Sequence, residues 1–251
     1  MSDPGRTTLD ELDGYGPFRQ SESQVVLFSI GNDYEAHGPA LPKEIDSRVA
    51  KELAIRVANT SGASYCAHIP FSTDMTGDIA KYWSPRYIPF DEFANRTLEF
   101  LHFYMKQLAY KPKKVVILNG HGGNTLLITM IGKYSEALGI DVDVFIPEEV
   151  RIPVDYQGEH AYIIEHSVAA YLGLLDKKRL GELNQVASKD PLEALRRWPS
   201  VAGLGGFIEF GGEEFSVLRS MLTECLEHFK KKRKIQADVK LGERIFTSMV
   251  K

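Results

Sequence analysis

The feature that most constrains the fold is a short stretch near the middle of the chain, residues 115–124. It begins with four apolar, mostly β-branched residues, the pattern of a strand buried on both faces. A turn with three glycines around His121 follows, and then a helix-like apolar run. In open α/β sheets ligands bind where strands end, so we predict a functional site at this turn. His121 can instead be structural, with Asn119 and Asn124 holding the turn by hydrogen bonds.

Strands and helices alternate along most of the chain. Besides the buried strand, the pattern predicts strands at 24–30, 65–70 and 142–147 and helices at 45–59, 90–110, 125–138 and 161–175. Such alternation is typical of a parallel sheet with helices on both faces. We therefore predict a single-domain three-layer α/β/α sandwich with a mainly parallel central sheet over residues 23–251.

The two ends of the chain carry weaker signals. Residues 1–22 are polar and rich in turn-forming residues, and we interpret them as an N-terminal arm. Residues 176–212 are interpreted as turn-rich, with a short helix at Pro191–Arg197. Helices are expected at 213–234 and 237–250.

Composition argues against several classes of function. The formal net charge is -4, whereas nucleic-acid-binding proteins usually present a basic face. No stretch is apolar enough to predict a transmembrane helix, and the polar N-terminus does not resemble a signal peptide. The two cysteines, Cys66 and Cys225, cannot build a disulfide framework. We expect a cytoplasmic protein that acts on a small molecule and binds neither nucleic acid nor membrane.

A second stretch supplies side chains that commonly bind metals. Glu35 and His37 are two residues apart in a loop stiffened by prolines, so in an extended conformation both can face one ion. Asp46 lies at the start of the next predicted helix and can bend back to the same place. Taken singly, Glu35 can be a solvated loop charge and Asp46 an acid stabilised by the helix dipole. Acid, histidine and acid on one stiff loop favour a metal site.

A third pair of candidate ligands lies downstream. His160 and Glu165 are five residues apart near the start of a predicted helix and can face the same cavity. Mixed carboxylate and imidazole ligands suit zinc, manganese or ferrous iron rather than a structural thiolate zinc site. Asp46 can bridge two ions because it has two carboxylate oxygens. Two ions ~3.5 Å apart would polarise a carbonyl and lower the pKa of a bridging water towards ~7.

Together these motifs resemble those of the creatininase family of metal-dependent hydrolases. Residues 35–46 are similar to its signature E-x-H-G-x-x-L-P followed by an aspartate, and residues 119–124, N-G-H-G-G-N, match its second motif in full. Residues 160–167 resemble its third motif, H-A-G-x-x-E-T-S, with departures at Tyr162 and His166.

This resemblance implies a creatininase-like fold and a hydrolase with a dinuclear site. The two divalent ions would be zinc, with manganese or iron as alternatives. Glu35, Asp46 and His121 would hold one ion, and His37, Asp46 and Glu165 the other. Three protein ligands for each ion leave coordination open for water, as catalysis requires. The family tends to form hexamers, so the resemblance also implies a homo-oligomer.

The resemblance also bears on the substrate. In creatininase a glutamate stands at the position of Gly123, which argues against creatinine and leaves His160 as the candidate proton shuttle, with a metal-bound hydroxide as nucleophile. Known activities of the family include removal of a formyl group from a ribosylaminopyrimidine phosphate and opening of a diketo-inositol ring. We expect hydrolysis at the carbonyl of a small cyclic amide, a formamide or a related compound.

Several other residues are candidates for contact with substrate: His68, Trp83, Tyr87, Gly122 and Gly123. Packing in the core or at an interface is the alternative for the three larger side chains. Three basic residues could meet a phosphate or be solvated charges: Arg48, Lys81 and Arg86. A metal-stabilised structural protein without turnover is a second function. A nucleotide-binding protein ranks last, because the glycine turn lacks G-x-G-x-x-G spacing and a Walker lysine.

Overall fold

The central element is a four-stranded parallel sheet. The computed structural model describes residues 23–75, 77–82, 84–146, 160–198 and 235–251. Its strands are β1 (Val25–Ile30), β2 (Ser64–Ile69), β3 (Lys114–Asn119) and β4 (Asp141–Phe145), in the order β2-β1-β3-β4 with every pairing parallel. The prediction of a parallel sheet is confirmed. The predicted arm at 1–22 and the helix at 213–234 lie outside the described residues.

Among the described residues, three helices lie between the strands in the chain, and four more come after the last strand. They are α1 (Ile45–Ser61), α2 (Phe90–Gln107), α3 (Ile131–Leu138), α4 (Ile163–Leu172), α5 (Lys177–Lys189), α6 (Pro191–Arg197) and α7 (Val239–Val250). Two 3₁₀ segments span Gly77–Tyr82 and Gly122–Met130. None of the described helices is both long enough and apolar enough to cross a membrane.

Side chains that alternate along β1 divide the core into two layers. Val26, Phe28 and Ile30 belong to one buried cluster with Phe93 of α2 and Tyr134 of α3. Leu27 lies in a second cluster, with α1, α4 and α7 supplying Leu53, Val168 and Phe246. Because successive strand residues face opposite sides of a sheet, the helices cover both faces. The predicted three-layer sandwich is confirmed.

Two local predictions were wrong. Residues 177–189, expected to be turn-rich, form α5, which begins where the Asp176 side chain accepts a hydrogen bond from Arg179 N and buries Leu180, Leu183 and Ala187. Residues 122–130 form a 3₁₀ segment rather than the start of an α-helix. There Thr125 Oγ1 donates to Gly122 O at 2.6 Å, a local bond that competes with regular α-helical geometry.

Candidate metal centre

The candidate ligands meet at the carboxyl edge of the sheet, between β1 and β3. Ile30 and Asn119, the last residues of these strands, are partners in the register. From β1 the chain crosses to β2 on one side, whereas β3 lies on the other side. A crevice at such a reversal of strand order is where ligands bind in open α/β sheets.

Two glycines bring the N-terminus of α1 against this edge. A Cβ on Gly31 would lie 2.4 Å from Ser47 N, and one on Gly120 would lie 2.4 Å from Asp46 O. Only glycine permits such a close backbone approach. The helix start is therefore seated over both strand ends, which carries the Asp46 carboxylate into the crevice. The second motif contains Gly120, but neither this motif nor the sequence around Gly31 revealed this role.

His121 is fixed in orientation with one nitrogen towards two carboxylates. Its Nε2 lies 3.2 Å from Thr73 O, and since a carbonyl can only accept, Nε2 carries the proton. Its Nδ1 lies 2.8 Å from Glu35 Oε2 and 3.0 Å from Asp46 Oδ2. In the neutral imidazole Nδ1 holds a lone pair and is itself an acceptor. It therefore faces two carboxylate oxygens with no proton between them.

His37 has the same arrangement on the other side of Asp46. Its Nδ1 donates to Glu35 O at 3.0 Å, so Nε2 is the free nitrogen. Nε2 lies 3.2 Å from Asp46 Oδ1 and 3.9 Å from Glu165 Oε2. Glu165 Oε2 is held by Ala161 N at 2.6 Å. The two oxygens of Asp46 thus face different histidines.

These atoms form sets that fit divalent cations. Within the described residues, the ligand atoms of Glu35, Asp46 and His121, and those of His37, Asp46 and Glu165, lie within 4.8 Å of one another. Three buried atoms in these sets have no hydrogen-bond partner there: Glu35 Oε2, His37 Nε2 and Asp46 Oδ2. Buried acceptors that face one another are costly unless a cation or a proton lies between them. The residues therefore fit divalent metal ions.

Without metal, the histidines would hold protons instead. Burial opposes protonation of His37, but Asp46 and Glu165 outweigh it and raise its pKa to about 10. For His121, burial is likewise outweighed by Glu35 and Asp46, and its pKa lies well above the ordinary value. The site thus attracts positive charge strongly.

The pKa values of the three carboxylates of the site shift in two directions. Burial disfavours the charged forms of Glu35 and Asp46, yet His121 beside the first and His37 beside the second hold both pKa values below their ordinary range. Burial raises the pKa of Glu165, and His37 offsets only part of that shift. Glu35 is 5% exposed, so the alternative of a solvated loop charge is wrong.

His160 lies on the accessible side of the centre. Its Nε2 donates to Ala36 O at 2.8 Å, and its Nδ1 lies 3.5 Å from Glu35 Oε1. Its side chain is 24% exposed and that of Glu165 is 31% exposed, against 6% or less for the other ligand side chains. With Glu35 and His37 it forms a third possible ligand set, and its ring centroid is 4.2 Å from that of His37.

Asparagines hold the histidine turn, as the alternative interpretation expected. Asn119 Nδ2 donates to His121 O at 2.8 Å, and Asn124 Oδ1 accepts from Thr73 N at 3.0 Å. Asn32, which the motifs did not single out, is buried 3.5 Å from His121 Nε2. Its position directly after β1, at the same edge as Asn119, is the signal that could have identified it.

The candidate substrate-contact residues are scattered. Nδ1 of His68 lies 2.9 Å from Ser29 Oγ, and burial lowers the pKa of His68 to about 3. Tyr87 Oη donates to Asp78 at 3.4 Å. Gly122 is exposed and Gly123 is buried against His121. Trp83 lies outside the described residues.

Comparisons with known proteins find relatives by sequence and proteins of similar fold among solved structures. No protein-family model matches the chain. The chain is 31% identical over 159 residues to a 2-amino-5-formylamino-6-ribosylaminopyrimidin-4(3H)-one 5'-monophosphate deformylase of Methanosphaera stadtmanae, and 31% identical over 165 residues to that of Methanothermobacter marburgensis. Each match covers 63% of this chain and spans 64% of the relative's length.

Solved structures of similar fold include creatininases. A creatinine amidohydrolase (creatininase) aligns with a TM-score of 0.56 at 16% identity, over 90% of this chain and 86% of that one. A mutant creatininase of Zn-Zn type aligns with a TM-score of 0.57 at 16% identity, over 90% and 87%. At this identity the likeness establishes the fold.

Proposed function

We propose, on the premise that the chain is a creatininase-family protein by fold and sequence, that it is a metal-dependent hydrolase that removes the formyl group from a formylaminopyrimidine ribonucleotide. The observation that carries the proposal is the pair of three-residue ligand sets that share Asp46. The formamide substrate is taken from the deformylase relatives. Gly123 supports a formamide substrate over creatinine, because the glutamate that creatininase has at this position would not fit here.

In this proposal Glu35, Asp46 and His121 hold one divalent ion and His37, Asp46 and Glu165 hold the other. Zinc is the ion we propose, with manganese or iron as alternatives that suit the same ligands. When bound, the ions would polarise the formyl carbonyl and lower the pKa of water towards ~7.

The chain's own residues would orient the substrate and move protons. His160 Nδ1 bears a lone pair on the accessible side, so it can accept the proton of the attacking water and deliver it to the leaving nitrogen. A carbon–oxygen bond forms, the carbon–nitrogen bond breaks, and the products are formate and the pyrimidine amine. The buried ligands exclude bulk water from the other side.

The test measures bound metal and formate release on the same preparations. The purified protein should bind two ions; Asp46→Ala should lose both, whereas His121→Ala and Glu165→Gln should each lose one. Glu44→Gln, a change at the partly exposed loop acid paired with Arg48, is the control and should keep both. Two ions retained in Asp46→Ala would contradict the bridging assignment.

Turnover separates a hydrolase from a metal-stabilised structural protein. His160→Ala should keep both ions while kcat for formate release falls by about 10²–10⁴. The panel should include the formylaminopyrimidine ribonucleotide, creatinine and cyclic diketones. Metal binding without hydrolysis of any of them would favour the structural role.

The cytoplasmic location and the hexamer stay predictions, which fractionation and light scattering would test.

A further inference from the structure

Arg86 has an unusual setting on the ring of Tyr34, the residue before Glu35. It lies in the segment between the first 3₁₀ turn and α2, its side chain is exposed, and its Cζ lies 3.9 Å from the ring centroid of Tyr34. Its Nη1 donates a hydrogen bond to Tyr34 Oη. A stacked guanidinium keeps its orientation without losing its charge.

Buried hydrogen bonds tie this segment to the ligands. Asn32 Nδ2 donates to Ser84 Oγ at 2.8 Å and lies 3.5 Å from His121 Nε2, while Asn32 Oδ1 accepts from Tyr34 N at 3.0 Å. Asn32 and Ser84 are fully buried or nearly so. Since Tyr34 directly precedes the ligand Glu35, the guanidinium and the metal centre share one connected framework.

The charge of Arg86 has no carboxylate partner within the part of the chain that the structure describes. Six other arginines pair with a glutamate on or at the start of their own helix: Arg48, Arg56, Arg96, Arg179, Arg196 and Arg197. For Arg86, only Nη1 has a partner among the described residues. The other N–H donors are therefore available to an anion, and a guanidinium binds phosphate oxygens in pairs.

We infer that Arg86, stacked on Tyr34, binds the phosphate group of the substrate and selects the phosphorylated pyrimidine over the nucleoside. This inference rests on the proposed function. In the proposed reaction the metal ions act on the formyl group, so the phosphate at the far end of the ribose needs a separate cation, and the chain as a whole carries a net charge of -4. Arg86 supplies that cation at the edge of the site.

The experiment compares Arg86→Gln with Arg96→Gln in the metal-loaded protein. Arg96 is an exposed arginine that pairs with Glu92 on α2, so both variants lose one positive charge. We measure kcat and KM for the formylaminopyrimidine 5'-monophosphate and for its dephosphorylated nucleoside, and the Kd of ribose 5-phosphate by calorimetry. Arg86→Gln should raise KM for the monophosphate and this Kd by about 10-fold to 100-fold, with KM for the nucleoside unchanged.

Each alternative result is decisive. Equal ribose 5-phosphate affinity in both variants, or none in the wild type, would overturn the inference. An equal rise in KM for nucleotide and nucleoside would also overturn it, because Arg86 would then only support the loop. If the wild type releases no formate but Arg86→Gln alone weakens ribose 5-phosphate binding, the deformylase proposal fails and the phosphate site stands.

Discussion

Gly123 determines which side chains can reach the metal centre. A Cβ at this position would lie 2.4 Å from His121 Nε2 and 2.9 Å from both Thr73 O and Asp74 Cα. The hydrogen bond from His121 Nε2 to Thr73 O occupies the space where a side chain would begin. A glutamate cannot enter here without displacing His121, so in the proposed reaction a general base must come from elsewhere, and His160 is the candidate.

Gly123→Ala should therefore weaken metal binding. The added methyl would push His121 away from Glu35 and Asp46, and we expect at least a roughly tenfold loss in zinc affinity, with about 1–3 kcal/mol lost in the free energy of unfolding. Zinc titration and urea unfolding would measure the two effects. Gly132→Ala is the control, because no atom lies within 4 Å of its added Cβ in α3. Unchanged zinc affinity in Gly123→Ala would show that the turn yields without moving His121.

At the scale of single residues, the sequence predicted which candidate ligands meet at the site better than it predicted the residues that support them. Spacing placed Glu35 and His37 on one side of an extended loop, and the two side chains do meet Asp46. The position of Asn32 directly after β1 could have marked it as lying at the ligand edge, but its contact with His121 could not be predicted, because that contact depends on which strands are neighbours. The same holds for Gly31 and its close approach to α1.

Helix α4 carries Glu165 and is positioned mainly by α7. A Cβ on Gly242 would lie 2.0 Å from Ser167 O, so the two helix backbones are in direct contact. Ser167 Oγ accepts a hydrogen bond from Asp238 N at 3.0 Å, just before α7 begins. The Asp238 side chain in turn accepts from Lys240 N and Leu241 N, which caps α7. The last helix thus helps to position Glu165, a proposed metal ligand that lies on another helix.

Gly242→Ala should destabilise the protein and loosen one metal site. The helices must separate, which should lower the free energy of unfolding by about 1–3 kcal/mol. Because Glu165 moves with α4, metal analysis should show partial loss of one ion only. Gly181→Ala on α5, where no atom lies within 4 Å of the added Cβ, should unfold at the same urea concentration as the wild type or higher. Equal stability of the two variants would argue against the close helix contact.

The elements themselves were predictable where periodicity was strong. All four strands were predicted within about two residues, because apolar runs mark buried strands clearly. Helix α5 was missed because its polar residues outnumber the three that it buries. The change of register in β2, between the partners of Leu27 and Phe28, left no sequence signal, since it depends on packing between strands.

For the whole molecule, the motifs carried more information than the periodicity. Three motifs far apart in sequence resemble those of the creatininase family, and the comparison with solved structures confirms a creatininase-like fold. Periodicity gave the class of fold but not the strand order. That order brings the ends of β1 and β3 together and so unites residues 35–46 with His121. The domain boundary at residue 23 stays a prediction.

The stability of the whole molecule should depend on pH in opposite ways with and without metal. The pKa of His37 in the folded, metal-free protein is about 10, above the ordinary 6.5 of an unfolded chain. A group whose pKa is raised by folding stabilises the fold fully at pH values below its pKa in the unfolded chain. That contribution is lost as the pH rises through its pKa in the folded protein. His121 acts in the same direction. Metal binding instead requires both nitrogens to be free of protons, so it strengthens as pH rises.

We therefore expect the difference in Tm between zinc-loaded and metal-free protein to widen from about pH 6 to about pH 9. The Tm of the metal-free protein should fall over this range, because folded His37 and His121 keep protons that the unfolded chain releases above its ordinary pKa of 6.5. Differential scanning calorimetry with and without a chelator measures both curves. His37→Gln should flatten the metal-free curve, since it removes the group with the pKa of about 10. A difference that stays constant or narrows would mean that the ions do not replace protons on these two histidines.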